Sequence, residues 1–100
     1  MLNKTITDVL LDVNASDDAY TMALQQLVDV AFVEELSDDD VKHIENAVKA
    51  QSGNDKRIAD TWIILAAPMN ESNTVGFENL KKIHARTAMI FVKALLKTNS

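Results

Sequence analysis

The chain has no cysteine, only one proline and only two glycines among its 100 residues. Without cysteine, a disulfide scaffold, a cysteine-bound zinc site and a thiol catalyst are excluded. So few glycines exclude a glycine-rich phosphate loop, and so few turn-forming residues argue against an all-β fold. The longest apolar run covers residues 62–69, whereas a membrane-spanning helix needs about 20 residues.

The first five residues contain one lysine, and Asp8 follows before any long apolar stretch. This pattern does not resemble a secretory signal. Together with the lack of cysteine, it leads us to expect a cytoplasmic protein.

What the sequence does contain is helical periodicity along its whole length. Apolar residues recur three and four positions apart, as on one face of an α-helix. The predicted helices cover about 4–14, 17–34, 37 to near 52, 55–67 and 75–97. Thr5 with Asp8 resembles a capping box, and Gly53 is expected to end the third helix in a left-handed conformation. Pro68 is expected to end the fourth helix.

These elements predict an all-α fold: a compact bundle of four to five helices, with a long C-terminal helix, in one domain over residues 1–100. The fourth helix is apolar on every side from Trp62 onward, so it is expected to be the most buried element. If Trp62 is buried, Trp62→Ala should cost about 3–5 kcal/mol. The predicted core positions of the first and last helices are Ile6, Val9, Leu10, Val13, Phe77, Leu80, His84, Thr87, Phe91 and Leu95.

Charge is distributed unevenly along the chain, whose formal net charge is −5. Residues 1–50 have three basic and eleven acidic side chains, and residues 51–100 have seven basic and four acidic, which gives net charges of −8 and +3. Complementary packing of the two halves, or simply solvated charged faces, would explain this asymmetry, and so would a basic surface that binds an anionic partner. The acidic starts of the second and third helices, near Asp17 and Asp38, could meet the basic residues within one chain or across a dimer.

The last helix carries the most distinctive pattern. Four cations share one edge of it: Lys82, Arg86, Lys93 and Lys97. A second apolar stripe, separate from the predicted core face, consists of Ala85, Met89, Val92 and Leu96. Because a surface helix in a monomer needs only one apolar face, this second stripe indicates either a central helix or an oligomer contact. The basic edge favours the contact, since an enclosed helix cannot solvate four cations.

No motif in the sequence indicates a catalytic or metal site. Asp12, Asn14 and Ser16 begin like a calcium loop, but Asp17 and Ala23 stand where that loop needs glycine and glutamate. His43 is expected to be solvated, and His84 to be a structural or interface histidine with a hydrogen-bond partner. We therefore expect neither a metal nor a cofactor, and no enzymatic activity.

The function predicted from the sequence is that of a small acidic binding protein. It is expected to form a homodimer through the second apolar stripe and to act on a protein partner in an accessory, immunity or inhibitor-like role. In length, acidity and helix content the chain is similar to small immunity-type and phage or plasmid accessory proteins, a likeness of composition only. The alternative is a protein that sequesters or senses an anionic small molecule or nucleotide at the basic edge. Nucleic acid is a weaker candidate, because the net charge opposes phosphate binding.

Overall fold

A computed structural model describes residues 2–67 and 74–98 of the chain. Its helices are α1 (Lys4–Leu11), α2 (Asp17–Ala31), α3 (Asp38–Ala50), α4 (Asp55–Ala66) and α5 (Thr74–Thr98). Neither described range contains a strand. The all-α bundle with a long C-terminal helix is therefore confirmed. Pro68 and all but the last residue of the polar connection 70–74 lie outside the described residues.

Each of the first four helices begins at a side chain that accepts a hydrogen bond from a backbone N–H of the first turn. The caps are Asn3, Ser16, Ser37 and Asn54. At α3 the Asp40 carboxylate also accepts from the Ser37 N–H, which completes a capping box. The capping box predicted at Thr5 and Asp8 is wrong, because Asn3 is the cap and Thr5 supplies the N–H.

Helix α1 ends earlier than predicted because of a local polar contact. The carboxylate of Asp12 accepts a hydrogen bond from the Asn14 N–H at 2.9 Å, which turns the chain after Leu11. As a result Val13 is 58 % exposed, and its predicted place in the core is wrong. α3 ends at Ala50, and Gly53 has no positive φ angle, so the predicted left-handed stop is also wrong.

Asn79 of α5 determines where α2 ends. Its side-chain amide donates to the carbonyl oxygens of Ala31 and Glu34 at 2.6 and 2.7 Å, and its oxygen accepts from the Leu36 N–H at 3.0 Å. The side chain is buried, and these bonds satisfy backbone groups that a continued helix would have used. The helix predicted to reach residue 34 therefore ends at Ala31.

Helix α5 packs against α2, α3 and α4, while α1 packs against α2 and α3. The main core combines buried side chains of α1, α2 and α3 with Leu65, Leu80 and Ile83. A second, smaller cluster joins Val48, Ile58 and Phe91 where the ends of α3, α4 and α5 meet. Near the start of α5, a Cβ atom at Gly76 would overlap the Phe32 ring, so α5 approaches the end of α2 at a glycine.

A buried guanidinium connects α4 to the segment between α1 and α2. Arg57 is 5 % exposed, and its Nε donates to the Asp17 carboxylate at 3.1 Å. Its other nitrogens donate to the carbonyl oxygens of Asp12 and Ala15 and to the Gln51 side chain. Only the planar, five-donor guanidinium can serve all these acceptors from one position.

Replacement of Arg57 should destabilise the fold far more than replacement of its neighbour. Arg57→Met leaves carbonyl groups in the α1–α2 connection without a donor, and we expect a loss of about 2–4 kcal/mol in the free energy of unfolding. The matched control is Lys56→Met, which removes an exposed partner of the same Asp17 carboxylate; it should cost at most about 1 kcal/mol. Urea unfolding followed by circular dichroism measures the free energy of unfolding of both variants. Equal losses of stability would contradict the role given to the Arg57 guanidinium.

Tyr20, the only tyrosine in the chain, lies in the core beside Thr61. The Thr61 hydroxyl donates to the Arg57 carbonyl oxygen at 2.6 Å, so its one proton is already used. Tyr20 must therefore be the donor in the 2.7 Å hydrogen bond between the two hydroxyls. Burial raises the pKa of Tyr20 above its ordinary value of 10.0.

The raised pKa of Tyr20 predicts a loss of stability in alkali. Because the folded chain holds this proton more tightly than the unfolded chain, the contribution is complete below pH 10.0 and is lost as pH rises through the folded-state pKa. Absorbance at the tyrosinate band should show a midpoint above 10.0 in the folded chain. Tyr20→Phe should remove this part of the pH dependence, and an unshifted midpoint would refute the burial argument.

Candidate protein-binding surface

One of the solvent-facing sides of α5, from Ala85 to Leu96, is entirely apolar. Its members, called here the α5 apolar face, are Ala85, Ala88, Met89, Val92, Leu95 and Leu96. All six are exposed, with Met89 at 64 % and Leu96 at 66 %. The face contains the whole predicted second stripe, which therefore lies on the surface of the single chain and not in its core.

The apolar surface continues across to α4. An open groove of about 170 Å³ runs between the two helices, with Trp62 and Ile63 on one side and Leu95 on the other. Phe91 and Ile58 of the second core cluster form its floor, and Asp55 also lines it. We call this the α4–α5 groove.

Trp62 forms a wall of the groove and is not a core residue. It is 43 % exposed and Ile63 is 62 % exposed, so the prediction that α4 is the most buried helix is wrong. The indole packs edge-on against the Phe91 ring at 5.0 Å and the His84 ring at 5.6 Å between centroids. His84 is half-buried, and its Nε2 donates to the Leu65 carbonyl oxygen at 3.2 Å, which fixes the ring beneath Trp62.

Two more residues of the predicted core face of α5 also lie on the surface. Phe77 is 39 % exposed and Leu95 is 59 % exposed, whereas Ile83, absent from the predicted core, is fully buried. The inward side of α5 is thus rotated toward the basic edge relative to the prediction. His43 is exposed, as expected of a solvated histidine.

The basic edge of α5 divides into two parts. In the first part Lys82 pairs with Glu35 at 3.6 Å, and Arg86 pairs with Glu45 at 3.5 Å. Lys93 and Lys97 form the second part, near the end of α3. The predicted continuous rim is therefore partly neutralised within the chain.

The acidic start of α2 meets α4 and not the basic edge. Asp17 pairs with Arg57 at 3.1 Å and with Lys56 at 3.3 Å. The hydrogen bond from Arg57, followed by the contacts with Lys56, lowers the pKa of the Asp17 carboxyl. At the start of α3, Asp38 and Asp39 are exposed.

Sequence reasoning did not place Ala88, Leu95, Trp62 or Ile63 on this surface. For α4 the pattern contained no usable signal, because a helix that is apolar all round does not indicate which side meets its neighbours. For α5 the stripe was visible, but its extent depended on how far the helix is rotated in the bundle.

Other kinds of site find little support in the part of the chain that the structure describes. Residues 2–67 and 74–98 bring together no group of three or more histidine, aspartate or glutamate side chains able to hold a metal ion. Among the described helices, none combines the length and apolarity needed to cross a membrane. No protein-family model, curated protein or solved structure matches the chain.

The exposure of Trp62 predicts a moderate effect on stability. Trp62→Ala should cost about 2 kcal/mol, below the range of about 3–5 kcal/mol expected for a fully buried tryptophan, because part of the indole is already in water. Trp62→Phe is the control that keeps a ring against Phe91 and His84, and it should cost less. Urea unfolding followed by circular dichroism, at a concentration with one species, measures both. A loss above about 4 kcal/mol for Trp62→Ala would contradict the partial exposure.

Proposed function

We propose that this chain is a non-enzymatic binding protein that forms a homodimer through the α5 apolar face and the α4–α5 groove. In this proposal the dimer acts on a further protein partner in an accessory or inhibitor-like role. The observation that carries the proposal is the continuous exposed apolar surface from Ile63 and Trp62 across to Leu96. Monomeric proteins rarely expose a contiguous apolar surface that spans two helices, and association removes it from water.

The surface has the shape that a symmetric dimer requires. A two-fold interface is self-complementary, because the same patch supplies both sides of every contact. Here the patch contains a ridge, with Met89 and Leu96 projecting from α5, and an adjoining groove beside Trp62. The projecting side chains of one copy can enter the groove of the other, in the way that knobs enter holes between packed helices.

Charge favours a parallel arrangement of the two α5 helices. A two-fold axis perpendicular to both helices would place the basic edges of the two copies side by side, with repulsion between them. An axis parallel to the helices instead places the basic edge of one copy against the α4 side of the other. Asp55 lies on that side and lines the groove together with Leu95, so that it can face Lys93 or Lys97 of a second copy. This charge complementarity supports a second copy of the chain as the partner that covers the apolar surface.

Glutamates on the α5 apolar face should produce a folded monomer. In the double variant Met89→Glu, Val92→Glu, each protomer of a dimer would bury two carboxylates against an apolar surface. This burial is costly, and no cation lies at the centre of the face to offset it. We expect light scattering after size exclusion to give twice 11.1 kDa for the unchanged chain and 11.1 kDa for the variant. Circular dichroism should show the same helix content for both.

Met22→Glu is the matched control, because Met22 of α2 and Met89 are both 64 % exposed. This variant should remain dimeric. If charge steers association, the dimer should also weaken at high salt. An unchanged chain that is monomeric at all tested concentrations would refute self-association, and unfolding of the double variant would show that the face supports the fold.

A further inference from the structure

A second concave surface lies along the basic edge of α5, and it shares Ala94 with the α4–α5 groove. The end of α3 and the C-terminal half of α5 enclose an open cleft of about 320 Å³. It is lined by Lys49, Ser52, Ile90, Lys93, Ala94 and Lys97. We call it the lysine cleft.

The lysine cleft has an excess of positive charge. Lys49 pairs with Glu45 at 3.5 Å, but the same carboxylate also pairs with Arg86 at 3.5 Å. One carboxylate thus faces two cations on this side of α3. Within the described part of the chain, no carboxylate oxygen lies within 4.0 Å of the Lys93 ammonium.

Helix stabilisation explains only part of this arrangement. Lys49 and Lys97 lie in the last turns of α3 and α5, where a cation interacts favourably with the free carbonyl groups. Lys93 lies more than one turn before the end of α5 and gains little from that effect. Its position next to the other two lysines calls for a different explanation.

We propose that the lysine cleft binds a small phosphate ester that carries an apolar or aromatic group. A phosphate group concentrates about −1.5 to −2 charges at pH 7, and lysine binds it as a point charge. The Ser52 hydroxyl is available as a further donor at the same rim, while Ile90 and Ala94 provide an apolar floor for the rest of the ligand. A phosphate carries enough charge to face both Lys93 and Lys49, which shares the Glu45 carboxylate with Arg86.

The test is a titration of the full, isotope-labelled chain with magnesium-free ATP, followed by amide chemical shifts. Saturable shifts should be confined to residues near 49–52 and 90–97. Lys49→Gln and Lys93→Gln should each weaken binding about tenfold, the typical effect of losing one charge-assisted contact. Lys42→Gln on α3 and Lys81→Gln on α5 remove the same charge from exposed positions outside the cleft, and should change the dissociation constant less than about twofold.

Two further probes test the chemistry of the ligand. Inorganic tripolyphosphate, which lacks the apolar group, should bind more weakly than ATP, and equal affinity would overturn the role of the apolar floor. A single-stranded oligonucleotide that binds more tightly than ATP would overturn a small-molecule ligand in favour of nucleic acid. Equal weakening by the cleft and control variants, or no saturable shift with ATP, would overturn the site itself.

The proposal does not depend on the dimer. ATP should bind a Val92→Glu single variant with an affinity within about threefold of that of the unchanged chain, since Val92 does not line the cleft. Met89→Glu is unsuited to this test, because it would place a carboxylate four positions before Lys93, where the two side chains can pair. Loss of binding in this folded variant would overturn the independence of the cleft. Failure of self-association together with retained binding would refute only the dimer.

Discussion

The rotation of α5 within the bundle depends on the buried amide of Asn79. Its side chain holds two carbonyl groups and one N–H of the connection between α2 and α3. Because backbone groups buried without a partner are costly, this register is strongly preferred over its neighbours. A helix fixed with Asn79 inward must also direct Leu80 and Ile83 inward, and these residues are fully buried. The opposite side of α5 is then left facing solvent, with Met89 and Leu96 on it.

The role of Asn79 also explains which features of the fold can be predicted from the sequence and which cannot. Helix starts were largely predictable, because caps such as Ser16, Ser37 and Asn54 act within one turn of chain. Helix ends were less predictable, because the end of α2 is set by Asn79, which lies more than 40 positions away in the sequence. The second stripe was recognisable from spacing alone. Its extension to Leu95 and Trp62 was not, because it requires the rotation of α5 and the position of α4 beside it.

The buried polar side chains of the bundle have hydrogen-bond partners. This matters for the exposed apolar surface, because it shows that the exposure does not come from poor packing of the interior. In the described residues, no buried side-chain nitrogen or oxygen lacks a hydrogen-bond partner. Gln51, for example, donates to the Leu10 carbonyl oxygen and accepts from Arg57. A chain that satisfies its interior so completely, yet leaves Ile63 and Met89 more than half exposed, does not have a generally loose structure. Apolar side chains outside α4 and α5 are also exposed, but those of α4 and α5 line a common groove, which favours a binding role for that surface.

The two halves of α5 thus have different physical roles. The N-terminal half is held by Asn79, by the burial of Leu80 and Ile83, and by the ion pair between Lys82 and Glu35. In the C-terminal half, Phe91 anchors the helix to the second core cluster, while apolar side chains face outward on one side and lysines on the other. Because side chains such as Met89 and Leu96 are already largely in water, substitutions there should alter binding with little effect on the fold. The C-terminal half of α5 can therefore carry the two proposed binding surfaces without weakening the bundle that supports them.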